Sequence, residues 1–183
     1  MPVPQISRRR FLELGATGAL SLAAFGTAAT LAGCSSGPAR VAAGYRWLSD
    51  EDLALFGALL AVVNGPALPA DAPVRTEALR RIDLACSCLA APAQAQTRQL
   101  LELLHWPPFR RFACGVAAPW DHAAPAELLA FLHAWRDSRL QLFNAGYRGL
   151  TRLAALGWWS QPQSWASSRY PGPPAWAVAE LKA

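Results

Sequence analysis

Few side chains in this chain could do chemistry. There are four cysteines (Cys34, Cys86, Cys88, Cys114) and three histidines (His105, His122, His133). Cys86-Ser87-Cys88 is the tightest pair. On a helix, two residues two apart point about 200° from each other. The two thiols therefore do not share one metal ion while the helix is intact; Cys86 faces inward and Cys88 lies near the opposite side. A disulfide from one of them to Cys114 is the alternative reading, and inert thiols are the default. Asp121-His122 invites an acid–base role. Its setting, beside Pro119-Trp120, fits better a surface loop with the indole tucked down. The histidines lack metal-like spacing. The chain has no Cys-x-x-Cys-His, no His-Glu-x-x-His, no Gly-rich phosphate loop and no Gly-x-Ser-x-Gly elbow. The expectation is a chain that is not an enzyme by itself, with no catalytic residue, no metal and no cofactor of its own.

The N-terminus carries the strongest signal. Arg8, Arg9 and Arg10 stand in a row, and from Leu14 to Gly33 there is no charge. A basic start, a mild apolar run and small residues before a cleavage point describe an export signal. Ser7, Arg8, Arg9, Phe11 and Leu12 resemble the twin-arginine consensus, which uses the export route for folded proteins; Glu13 stands where Lys is usual. Leu31-Ala32-Gly33-Cys34 resembles a lipobox, in which Cys34 is acylated and becomes the new N-terminus. Two other readings stand beside it: an uncleaved spanning anchor, since the run is about 20 residues long, and cleavage nearby with Cys34 incidental. The expected organisation is a signal with lipobox over residues 1–33, a tether over 34–48, and a helical domain over 49–183 that includes a C-terminal tail from 157. The expected location is the periplasm, with the protein anchored to the membrane through lipid.

About 150 residues follow the signal, enough for one domain with a real core. The net charge of +5 falls to +3 without residues 1–33, which hold three Arg and one Glu. No basic run is interleaved with aromatics as a nucleic-acid groove requires, so no nucleic-acid partner is expected. Fifteen Pro and thirteen Gly sit mostly between helical stretches, and eight Trp is high for this length.

The elements that must position these residues are helices. Ser49 caps the first, with Asp50, Glu51 and Asp52 in its first turn. Its stripe is Leu53, Phe56, Leu60 and Val63, and Asn64-Gly65-Pro66 ends it. A second helix is predicted over 76–91 with Leu79, Ile82, Cys86 and Leu89 inward, and a third over 95–104. Trp106-Pro107-Pro108 stops the third, and Phe109 to Phe112 form a brief helical turn. Pro125 opens a fourth helix, with Leu128, Phe131, Leu132, Trp135 and Leu142 on one side. On a wheel Arg139 falls inside that stripe, so it snorkels, pairs with a carboxylate or faces a partner. His133, Asp137, Gln141 and Asn144 take the solvated face. Gly146 and Gly149 are expected to break or kink the helix before it resumes over 147–156. From Gly157 on, Pro density predicts an irregular Trp-rich tail. The fold class is all-α, a single small domain of four to five helices with that tail.

The tail also carries a resemblance. Trp158-Trp159, a short polar-Pro step, Trp165, then Tyr170-Pro171-Gly172-Pro173-Pro174 resembles the closing motif of the gluconate 2-dehydrogenase subunit 3 family. The first helix followed by Ala67-Leu68-Pro69 is similar to that family's opening. Trp158-Trp159 stands where a Tyr pair is common, and Arg169 where Gly is usual. The resemblance implies a non-catalytic small subunit, exported by the twin-arginine translocase. Its large partner, an FAD-dependent sugar or alcohol dehydrogenase, would hold the flavin, and a cytochrome c subunit the haem. Arg139, Trp158, Trp159, Trp165 and Tyr170 to Pro174 are the expected partner-binding residues. A flavoprotein loaded in the cytoplasm must cross folded, and a bound partner can supply its signal. The competing expectation is a stand-alone periplasmic helical lipoprotein that binds a ligand or acts as a scaffold.

Overall fold

A computed structural model of the chain describes residues 40–174, 176 and 177. Among the described residues there are seven helices: α1 (Asp50–Asn64), α2 (Ala72–Ser87), α3 (Ala91–His105), α4 (Pro107–Ala113), α5 (Pro125–Arg136), α6 (Gln141–Trp159) and α7 (Pro162–Ser168). Short 3₁₀ turns lie at Gly65–Ala67 and Trp120–His122. Among the described residues the only β pairing is an isolated bridge between Val41 and Ser49. The protein is all-α, with more helices than the four to five expected.

Prolines explain most of that difference. Five of the seven helices (α2, α3, α4, α5 and α7) carry Pro at their first or second position. A helix's first N–H groups have no acceptor inside the helix, so a missing one costs nothing there, and the fixed φ suits the first turn. Pro73 and Pro92 therefore open α2 and α3 four residues earlier than their apolar stripes suggest. Pro162 opens α7 inside the stretch expected to be irregular. The tail from 157 is thus corrected: α6 continues through Trp159, α7 follows, and irregular backbone starts at Arg169.

The expected Pro125-to-Leu156 helix is two helices, and they part at Asp137–Leu140 rather than at the glycines. Asn144 is the reason. Its Nδ2 lies 3.0 Å from the Trp135 carbonyl oxygen, 2.7 Å from that of Arg136 and 3.2 Å from that of Ser138. It caps the end of α5 instead of standing in solvent. Arg139 consequently sits exposed in the turn and not in a core stripe, and Leu142 is 70 % exposed. Gly146 lies inside intact α6. A Cβ there would meet the Trp135 ring at 2.5 Å. The missing side chain lets that indole cross the helix and stack on Phe143, with centroids 4.9 Å apart.

Helix α1 is central. It packs on α2, α5 and α6, and α6 in turn packs on α2, α5 and α7. Ser49 and Asp52 close a capping box at its start. That box contributes about 1 kcal/mol, whereas the fully buried Leu55, Phe56, Leu59 and Leu60 contribute roughly 6–12 kcal/mol together. Packing therefore holds α1, and the cap sets where it begins. At the other end Asn64 is 7 % exposed, and its Nδ2 donates to the Leu60 and Ala154 carbonyls, tying α1 to α6.

Part of the expected tether belongs to the domain. Residues 41–48 form a turn closed by the Ala42 N–H donating to the Leu48 carbonyl, and Leu48 is wholly buried. Asp83 on α2 holds this turn: its carboxylate accepts the backbone N–H groups of Arg46, Trp47 and Leu48 at 2.8, 2.9 and 2.8 Å.

Candidate functional site

The sulfur and histidine candidates separate in space. Arg8, Arg9, Phe11, Leu12 and Cys34 lie outside the described residues. Cys86 and Cys114 are buried and Cys88, the C-cap just after α2, is exposed; all three are free. The alternative reading, a disulfide from Cys86 or Cys88 to Cys114, is not formed. Burial pushes the thiols of Cys86 and Cys114 up to about 12, so neither is a nucleophile at neutral pH. His122 Nε2 is 3.5 Å from Asp121 Oδ2, with both side chains more than half exposed, and Trp120 beside them is 3 % exposed. That is the loop with a tucked indole. His133 is exposed on α5. Among the described residues no three His, Cys, Asp or Glu side chains gather as a metal site.

His105 is different, and its partner was not legible in the chain. Its Nε2 lies 2.8 Å from Oδ1 of Asp52, whose carboxylate is fully buried in the first turn of α1. Asp52 Oδ2 accepts the Ser49 N–H at 2.8 Å and Arg98 Nη1 at 2.7 Å. Arg98 also donates to the Trp47 carbonyl and lies 3.9 Å from the centroid of the Trp47 ring. Burial by itself raises the Asp52 pKa. The hydrogen bonds from His105, Ser49 and Arg98 outweigh it and bring the group down to about 2. An Asp–His pair suggests hydrolytic catalysis, but the parts of that machinery are not assembled here. Ser49 Oγ is engaged by the Asp52 N–H at 3.2 Å and touches the Asp rather than the His. The cluster is a clamp joining the 41–48 turn, α1 and α3.

The C-terminal residues form a different kind of site. Trp158 is 3 % exposed and part of the core, so it leaves the set of partner-facing residues; Trp159 beside it is 41 % exposed. Buried Gly157 brings α6 against α2, since a Cβ there would stand 2.9 Å from the Ala78 carbonyl oxygen. Helix α7 ends at Arg169, the one non-glycine residue of positive φ (56°) among the described residues. The chain then folds back. The Tyr170 N–H donates to the Trp165 carbonyl at 3.0 Å, and the phenol ring meets the indole edge-on with centroids 5.5 Å apart. Gly172, at φ 92°, lies against the same indole; a Cβ there would be 2.9 Å from the ring. Both the backbone angle and the missing space require glycine. Half-buried Trp165 is thus the floor of a turn whose Tyr170, Pro171, Pro173 and Pro174 all face solvent. At Arg169 the left-handed conformation is strained, because its Cβ crowds the backbone there.

This surface offers one phenol, exposed proline rings and a nearby indole on a backbone already shaped. Trp165, Tyr170 and Gly172 are brought together in α7 and the segment after it; Trp159 stands in the last turn of α6, and Arg139 in the α5–α6 turn. No known protein family, curated protein or solved structure matches the chain.

Proposed function

We propose that this chain is a non-catalytic accessory subunit. It binds a flavin-dependent sugar or alcohol dehydrogenase, assists its maturation and leads it through the twin-arginine route. Acylated Cys34 then holds the pair at the periplasmic face of the membrane. FAD, and haem in a cytochrome subunit, belong to the partners. The observation that carries the reading is the exposed Tyr170-Pro-Gly-Pro-Pro turn preformed on Trp165. Tyr170 rests edge-on against Trp165, and the rings of Pro171, Pro173 and Pro174 face solvent. The twin-arginine residues Arg8 and Arg9 supply the export half of the reading. Among the described residues no single helix is long and apolar enough to cross a membrane; in this reading Cys34 is the attachment.

Affinity capture of tagged full-length protein from its own membranes, followed by a visible absorbance spectrum, tests this. A stoichiometric large subunit with flavin absorbance is the expected result. A colourless chain captured alone would overturn it in favour of a stand-alone lipoprotein.

A further inference from the structure

A recess of about 360 Å³ opens between the 41–48 turn and α2, lined by Gly44, Arg46, Glu77, Arg80, Arg81 and Leu84 over the Asp83 carboxylate. Its charges are unevenly matched. Asp83 is filled by three backbone N–H groups and takes no guanidinium. Glu77 pairs with Arg81, Nε to Oε1 at 3.1 Å, and Arg81 Nη1 donates to the Ser160 carbonyl. Arg46 and Arg80, both exposed, have no carboxylate partner among the described residues. Leu84, 47 % exposed, stands at the rim.

The position of this recess along the chain gives it meaning. Gly44 is ten residues from Cys34, a reach of at most about 35 Å when fully extended. Once Cys34 is in the membrane, this face is tethered close to the lipid surface. Guanidinium groups suit phosphate geometry, and an exposed leucine beside them suits the acyl boundary. We propose that this arginine-lined recess is the face that the domain lays on the membrane, where Arg46 and Arg80 take the phosphate groups of anionic phospholipids. The inference rests on acylation of Cys34 for its geometry and adds to the functional reading an orientation of the domain on the bilayer.

The test uses the mature chain from residue 34 with Cys34→Ser, so that no acyl group contributes. In low salt it is expected to float with vesicles containing about a third phosphatidylglycerol and not with pure phosphatidylcholine; binding fades as the Debye length shrinks. Each cation near an anionic surface strengthens partition roughly five-fold. Arg46→Ala with Arg80→Ala is therefore expected to weaken binding roughly 25-fold at unchanged melting temperature. Arg148→Ala with Arg152→Ala, on α6, should leave it intact. Equal loss from both pairs would reduce the effect to net charge and overturn the proposal. So would saturable stabilisation by inorganic phosphate without vesicle binding, or binding to neutral and anionic vesicles alike. Labelling the full-length chain with palmitate separates the two readings. Acylation without vesicle binding by the Cys34→Ser chain sinks the recess and leaves the anchor standing; vesicle binding without acylation does the reverse.

Discussion

Replacing Asp52 by Asn removes the charge at the centre of the α1–α3 clamp while keeping its shape. In the folded chain Asp52 titrates at about 2 against an ordinary 3.8. That difference corresponds to roughly 2.5 kcal/mol of stability at neutral pH. The folded value lies below the unfolded one, so this contribution is complete above about pH 4 and is lost as pH falls toward 2. The substitution also leaves Arg98, whose side chain is 20 % exposed, facing an amide instead of a carboxylate. Breaking a fully buried pair costs about 3–5 kcal/mol. Partial access of water to Arg98 places this one near the lower end, about 3 kcal/mol. For a domain of this size that is a fall in Tm of roughly 6–12 °C. The assay is thermal unfolding of the mature chain, followed by circular dichroism between pH 2 and 7. The parent should lose stability steeply below about pH 4, and Asp52→Asn should start lower and fall less. A variant that melts within about 1 kcal/mol of the parent at pH 7, or with the same acid slope, refutes the assignment of this carboxylate as the ionised centre of the clamp.

Gly157→Ala should cost about 2 kcal/mol by thermal melting, because its Cβ would press on the Ala78 backbone oxygen, which cannot rotate away. Gly149→Ala, with open space around the site, should gain about 0.5–1 kcal/mol and serves as the control. Arg169→Gly should raise stability by up to about 1 kcal/mol by relieving its left-handed backbone, and a loss would show that the arginine side chain does something the backbone argument omits. Tyr170→Ala should weaken capture of the flavoprotein far more than it lowers Tm; a proportionate loss of both would make the turn mere packing. Arg8→Lys with Arg9→Lys should hold the chain and its partner in the cytoplasm, and undiminished export would remove the twin-arginine reading.

Much of the candidate surface was legible before folding, since the Trp165 and Tyr170-to-Pro174 residues stand out by type alone. Their use was not. Gly172 is a turn residue by composition, but its need for absent volume arises only because Trp165 lies beneath it. Trp158 and Trp159 look alike in the chain; the 100° step of a helix sends one inward and the other out. Cys86 was placed inward and Cys88 outward by the same step, and both are so. The disulfide was a matter of where Cys114 lands, which no local pattern encodes.

By itself the sequence determined the helical class, the Ser49 start of α1 and the lack of familiar catalytic motifs. These are local properties: periodicity, cap chemistry and short signals act within a few residues of each other. The tertiary structure alone decided what the buried polar side chains do. Asp52 meets His105 across 53 positions and Asp83 meets Trp47 across 36. A carboxylate in a first turn, or on a helix face, has the same local pattern whether it meets water or a buried guanidinium. Prolines divided in the same way. Each one excludes a helix interior, but whether it ends a helix or begins the next depends on which apolar face the following residues can bury.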